Sequence, residues 1–198
     1  MEATSRTNKK IIILDRPNPN SFYIDGPVLE KENSSFIGLH PVPIVYGMTI
    51  GEYGKMINEE GWLGEKMKAD LEVIKIENYT HNMRYEPPIR PSPNLPNLQS
   101  IYLYPSLAFL EKTEVSVGRG TKIQFQIYGH PDFKSGFSFT PLPNFGSQFP
   151  KLNGKLSFGE DLREYETSKM IELKWLIKSY DQISDKNNFF RSDFNKLS

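Results

Sequence analysis

Apolar and polar positions along the chain divide it into short elements of several kinds. "KKIIILDRPNPN" opens with a continuous apolar run, Ile11 to Leu14, of the type buried on both faces of a parallel sheet. "FYIDGPVLE" predicts a strand running into a turn at Asp25-Gly26-Pro27. Thr49 and Glu52 then stand as T-x-x-E ahead of Ile50, Tyr53, Met56 and Ile57, which share one helical face. That is a capping box opening a helix, and it gives Glu52 a structural job. Gly61 and Gly64 close this helix around Trp62. "ADLEVIKIENY" reads as a strand of mixed alternation, and "SIYLYPSLAFLE" as a buried strand or strand-loop. In "TKIQFQIYG", Ile123, Phe125 and Ile127 alternate with Lys122, Gln124, Gln126 and Tyr128, a strand pattern. "GFSFTPLPN" and "KLSFGEDLR" add two short strands. In "ETSKMIELKWLIKSYDQIS", Met170, Leu173, Leu176, Ile177, Tyr180 and Ile183 recur at helical spacing behind a Thr167 or Ser168 cap. The fold class that follows is α+β: one strand of a parallel sheet, then mixed strands with two helices.

Two punctuated stretches stand out. "YEPPIRPSPNLPN" holds five prolines, each fixing its own φ and biasing the residue before it to extended conformations. It reads as a stiff ordered loop built into the domain and walling a cleft. "EKTEVSVGRGTKIQ" sets Arg119 between Gly118 and Gly120 and just ahead of Thr121. Arg119 is either an exposed turn residue paired with a surface carboxylate or a guanidinium held over a polar ligand.

Composition narrows the function classes. Lys+Arg and Asp+Glu both number 24 in 198 residues, so no general attraction to nucleic acid or anionic membrane is indicated. Aromatics reach 13% and prolines number 15, which favours strands and ordered loops over a helix bundle. The absence of cysteine excludes disulfides, thiolate metal sites and a cysteine nucleophile. With three histidines, none in a ligand spacing, no metal site is expected, and no cofactor motif appears. No apolar run is long enough to span a membrane, no signal peptide is visible, and nothing sets an oligomeric state.

What remains is carboxylate, amide, tyrosine and arginine chemistry, suited to polyhydroxylated, acidic or acetamido ligands. Asp15, Arg16 and Asn18 follow the C-terminal end of the first strand, where ligands bind in α/β sheets, although the same residues make a Pro-Asn turn. Asn94 in the proline loop is a sugar-hydroxyl donor or a turn residue. Glu111 is a possible second carboxylate or a strand-end ion-pair partner. Tyr46, Tyr104 and Tyr128 are stacking surfaces for a pyranose ring or core residues.

Read together, "IILDRPNPNSFYIDGPVLE", "HPVPIVYGMTIGEYGKMIN", "PPIRPSPNLPN", "IYLYPSLAFLE", "SVGRGT" and "FQIYGHP" resemble, in order, the NamZ-type exo-β-N-acetylmuramidase family. The resemblance runs from about Lys10 to Phe190. It implies removal of terminal β-linked N-acetylmuramic acid from peptidoglycan fragments in cell-wall recycling, outside the cytoplasm. It also implies a Rossmann-like domain followed by an α+β domain, with the active site in the cleft between them. On that basis residues 1–25 are expected to end the first domain. Residues 26–198 are expected to form the second, incomplete at its C-terminus. Arg119 is expected to hold the lactyl carboxylate, facing the Asp15–Asn18 tip across one groove, with Thr121 beside it. The family's Gly-Pro-Glu-His-Gly motif, whose glutamate is the favoured catalytic acid, does not occur in this sequence. Glu111-Lys112-Thr113, Val117 and Tyr46 stand where the family often has Glu-Gly-Thr, an acid and a histidine. The chain by itself is therefore expected to be inactive. The rival expectations are a non-catalytic muropeptide-binding module and an inert fragment.

Overall fold

The computed structural model describes residues 1–191, and its chain separates into two compact units, Met1–Tyr85 and Glu86–Ser198. The division does not follow the expected boundary at residue 25, because the first strand finds its partner further along the chain. After a short helix α1 (Glu2–Arg6), β1 (Ile11–Leu14) pairs in parallel with β4 (Leu71–Ile74), Ile11 opposite Leu71 and Leu14 opposite Ile74. Between them lie an antiparallel pair, β2 (Asp25–Val28) with β3 (Pro43–Val45), and helix α2 (Ile50–Glu59). The Asp25-Gly26-Pro27 turn is thus a strand with a kink, and Gly26 takes φ 91° there.

Helix α2 begins where the T-x-x-E pattern puts it. Thr49 accepts from the Glu52 N–H, and the Glu52 side chain accepts from the Thr49 N–H. The helix lies close on the β1–β4 pair through two glycines one turn apart. A Cβ on Gly51 would stand 2.5 Å from Val73 Cγ1, and one on Gly54 2.7 Å from Ile13 Cδ1. This covers one face of the strand pair. On the other face Ile12 and Leu14 are 55% and 71% exposed, so burial on both faces is not seen.

The second unit is built on α3 (Leu98–Leu107), continued by a 3-10 turn over Ala108–Lys112, on three antiparallel strands and on α4 (Lys174–Gln182). The strands β5 (Ile127–His130), β6 (Phe137–Phe139) and β7 (Ser157–Asp161) run in the order β5-β7-β6. Leu103, Leu107, Leu110, Phe125, Trp175 and Phe189 belong to its core.

Three expectations fail in this unit. The segment read as a buried strand is α3, capped by reciprocal Asn97 and Ser100 bonds and carrying Pro105 inside it. Seven of its ten residues are buried, so no amphipathic period marks it as a helix. The alternating run 122–126 is irregular backbone, with Phe125 at φ 53°, and the ladder starts only at Ile127. Helix α4 starts after Leu173 with no side-chain cap, while Ser168 donates to Glu172 instead. Its inward face is Trp175, Ser179 and Ile183, leaving Met170 and Ile177 more than half exposed. No helix among the described residues is long and apolar enough to cross a membrane.

Candidate functional site

Each unit holds its own group of polar side chains. In the first unit these meet beyond the C-terminal ends of β1 and β4, around a cavity of about 160 Å³ lined by Asp15, Thr49, Glu52, Lys55, Lys75 and His81 among others. The position obeys the rule for parallel strands. Asp15 is fully engaged. Its Oδ1 accepts from the N–H groups of Arg16 (3.0 Å) and Gly51 (2.8 Å), and its Oδ2 from Thr49 Oγ1 (2.7 Å). It ties the end of β1 to the start of α2, where a carboxylate is favoured by the helix dipole. Glu52 meets His81 Nε2 at 2.8 Å. Burial pushes the Glu52 carboxyl up, but the Thr49 N–H and His81 outweigh it and hold the group below its ordinary range. The spacing of the capping box predicted Glu52, whereas His81 carried no local signal.

The other first-unit candidates serve the turn and the packing. Asn18 Nδ2 donates to the Met48 carbonyl (2.9 Å) and its Oδ1 accepts from the Asn20 N–H (2.9 Å), the turn role. Arg16 is exposed. Tyr46 stacks on Tyr53 at 5.3 Å, and Tyr53 Oη meets His40 Nδ1 at 2.9 Å.

In the second unit the structure gathers Tyr104 and Arg119 around the Phe125 ring, with Glu111 bonded to Arg119. Gly118 and Gly120 both have positive φ (79° and 83°), so the turn that presents Arg119 needs them. Thr121 Oγ1 donates to the Gly118 carbonyl (2.7 Å) and accepts from the Ile123 N–H (3.1 Å), which closes the turn. Arg119 Nε donates to Glu111 Oε1 at 2.6 Å, and the guanidinium carbon lies 5.1 Å from the Phe125 centroid. Glu111 engages only Nε. Among the described residues the two terminal nitrogens of Arg119 have no hydrogen-bond partner, and the side chain is 35% exposed. Tyr104 is 38% exposed, its ring 4.8 Å from that of Phe125. Burial first, then the Glu111 charge, raises its hydroxyl pKa against the opposing pull of Arg119.

Lys151, which no motif signalled, supports this group from below. Its Nζ reaches the carbonyls of Leu110 and Glu111 (3.2 Å each), Val115 (2.8 Å) and Thr113. Burial pushes its ammonium pKa down to about 8, although Glu114 and Glu111 oppose the shift.

Two candidates leave the site. Tyr128 is 1% exposed in the core, because β5 turns it inward, and it offers no stacking surface. Asn94 is 7% exposed; its N–H donates to Ser92 Oγ and its Nδ2 to the Gly146 carbonyl (2.7 Å), so it braces the proline loop.

Comparisons with known proteins match the chain in two parts, which meet near residue 100 and not at the Tyr85–Glu86 division. Residues 1–99 match the family described as exo-beta-N-acetylmuramidase NamZ, N-terminal, and residues 102–198 its C-terminal counterpart. The chain is 34% identical to the peptidoglycan beta-N-acetylmuramidase NamZ of Bacillus subtilis (strain 168), over 100% of its own length and 50% of the relative's. It is similar to two solved DUF1343 family proteins from Bacteroides fragilis NCTC 9343. One gives a TM-score of 0.95 at 44% identity. The other gives 0.82 at 22% identity and speaks to the fold alone. All of this chain and 57% of each of those chains are covered. The chain thus spans about half the length of the relatives it matches.

Proposed function

Because the chain belongs to the NamZ exo-beta-N-acetylmuramidase family, we propose that it takes part in removing terminal β-linked N-acetylmuramic acid from peptidoglycan fragments outside the cytoplasm. One observation carries the assignment of chemistry within this chain: Arg119 is held by Nε alone, with both terminal nitrogens unpartnered among the described residues. A guanidinium so fixed offers a planar pair of donors that matches a carboxylate. Muramic acid differs from glucosamine by a lactyl group bearing that carboxylate. Tyr104 beside it, 38% exposed, supplies an aromatic surface for the sugar.

Glycoside hydrolysis needs a proton donor and a second carboxylate or the substrate's own acetamido group. Glu111 is occupied by Arg119, which gives it the role of orienting the guanidinium. No Gly-Pro-Glu-His-Gly segment occurs in these 198 residues, so we assign them substrate recognition without turnover. The experiment is direct: purified 1–198 is incubated with a chromogenic β-muramide and with free N-acetylmuramic acid. Thermal stabilisation by the sugar with no chromophore release is expected. Chromophore release would overturn the assignment of recognition alone, and an unchanged melt would remove the sugar from this chain.

A further inference from the structure

The backbone turn at Pro150 and Lys151 meets the Arg119 turn by two routes. The first is direct: Gly120 lies so close to Pro150 that a Cβ on it would stand 2.6 Å from Pro150 Cβ. The second runs through the Lys151 side chain. Its Nζ takes the carbonyls of Leu110, Glu111, Thr113 and Val115, and the Glu111 carboxylate in turn holds Arg119 Nε at 2.6 Å. Leu152, the next residue, takes φ 58°, a left-handed conformation that a leucine keeps only where its surroundings fix it.

An ammonium has three N–H groups, so at least one of them is shared among these carbonyls. The arrangement needs the charged form. A neutral amine has two N–H groups and turns a lone pair toward the remaining carbonyls, so loss of the proton replaces attraction with repulsion. All of those carbonyls lie within residues 110–115, the segment that bears Glu111. Thr113 Oγ1 donates to the Leu110 carbonyl at 2.8 Å, so the turn itself has a brace that does not depend on Lys151.

We propose that Lys151, through its charge, is a positioning residue for Arg119. As the ammonium it keeps Glu111 where the carboxylate fixes the guanidinium, and as the amine it lets that hold go. The orientation of Arg119 is a property of the free chain. Its consequence for a carboxylate ligand rests on the muramidase reading.

Burial pushes the Lys151 ammonium down to about 8, with Glu114 and Glu111 opposing the shift and Arg191 and Arg119 adding to it. Those four charged groups face it, and His130 also feels its charge. Carboxylates and guanidinium groups as classes hold their charge from about pH 7 to 9.5. Burial lowers His130, so it is already neutral there, and raises Tyr104, so its hydroxyl keeps its proton. Among these groups Lys151 is the one that changes charge in that range.

The test uses the 198-residue chain and reads Arg119 first without ligand, by the carbon-detected NMR correlation of its Nε and Cζ, which needs no exchangeable proton. From pH 7 to 9.5 this signal should move toward that of a free arginine side chain, with a midpoint near 8. Lys151→Met should show the released position already at pH 7. Lys151→Arg, charged throughout, should keep the held position at pH 9.5. N-acetylmuramic acid is then titrated by calorimetry. Its affinity for the parent should fall by roughly tenfold or more over the same range, the scale of a lost charged hydrogen bond, and should stay level in Lys151→Arg. An Arg119 signal indifferent to pH in the parent, or a sugar affinity that stays level there, would each overturn the proposal whether or not the variants fold. A signal that follows pH in a chain that does not bind the sugar supports the positioning role and removes the carboxylate reading alone.

Discussion

The ammonium of Lys151 donates to the backbone carbonyl of Glu111 at 3.2 Å, so the residue whose carboxylate orients Arg119 is itself fixed from the interior. The same ammonium reaches the carbonyls of Leu110, in the turn that continues α3, and of Thr113 and Val115 just beyond it, a charged donor shared by the chain as it leaves the helix. Lys151→Met should cost about 2–3 kcal/mol, since it leaves buried carbonyls without a charged donor. Chemical denaturation of the two proteins measures this; equal midpoints would show that the carbonyls find other partners.

The pH dependence of that contact has a definite sign. The folded-state pKa of Lys151, about 8, lies below its ordinary 10.5. Between those values the unfolded chain binds more protons, so this group makes stability rise with pH from about 8 toward 10.5. Below that window the charged form carries its full burial penalty. Melting temperatures from pH 7 to 10 should therefore climb more, or fall less, for the parent than for Lys151→Met. A steeper fall in the parent contradicts the assignment.

Arg119 separates recognition from scaffold. In a chain that also carries the Gly-Pro-Glu-His-Gly segment, Arg119→Ala should lower muramide turnover by about 1.5–3 kcal/mol in kcat/KM, the range of a hydrogen bond to a charged group. Arg119→Lys should not restore it, because a lysine cannot present two parallel donors. Kinetics indifferent to both changes would leave Arg119 as a turn residue.

Acid should act on the first unit through Glu52. Its carboxyl is held below the ordinary value, so the stability it contributes is present above that value and is lost as pH falls through the folded-state pKa. Glu52→Gln should flatten the acid limb of the stability profile. Thr49→Ala should cost about 1 kcal/mol at neutral pH, as the loss of a cap does. Urea melts at pH 7 and pH 4 read both effects, and an acid limb identical in parent and Glu52→Gln would exclude the mechanism.

The two glycines of α2 should respond differently to alanine. A Cβ at Gly51 meets Val73 at 2.5 Å and the Asp15 carboxylate at 2.8 Å, so Gly51→Ala should destabilise by about 1–3 kcal/mol. At Gly54 the close neighbour is the movable tip of Ile13, at 2.7 Å, and helix propensity favours alanine by about 1 kcal/mol. Gly54→Ala should be nearly neutral. Circular-dichroism melts of the pair decide it, and the order reversed would mean that β1 yields more readily than the Ile13 side chain.

What the linear sequence determined is what short-range chemistry determines. The Thr49–Glu52 reciprocal cap, the parallel character of Ile11–Leu14, the stiff proline loop and the need for glycine on both sides of Arg119 each rest on a few adjacent residues. The family likeness rests on such local motifs in order. Tertiary structure alone decided that "SIYLYPSLAF" is a helix, since a segment buried nearly all round has no polar face to show its period. It also decided that Phe125 leaves the β region, that Tyr128 points into the core, and that Lys151 reaches back some forty residues to hold Glu111. Burial and long-range hydrogen bonds select among conformations whose local preferences are nearly equal, and those partners are adjacent only once the chain has folded.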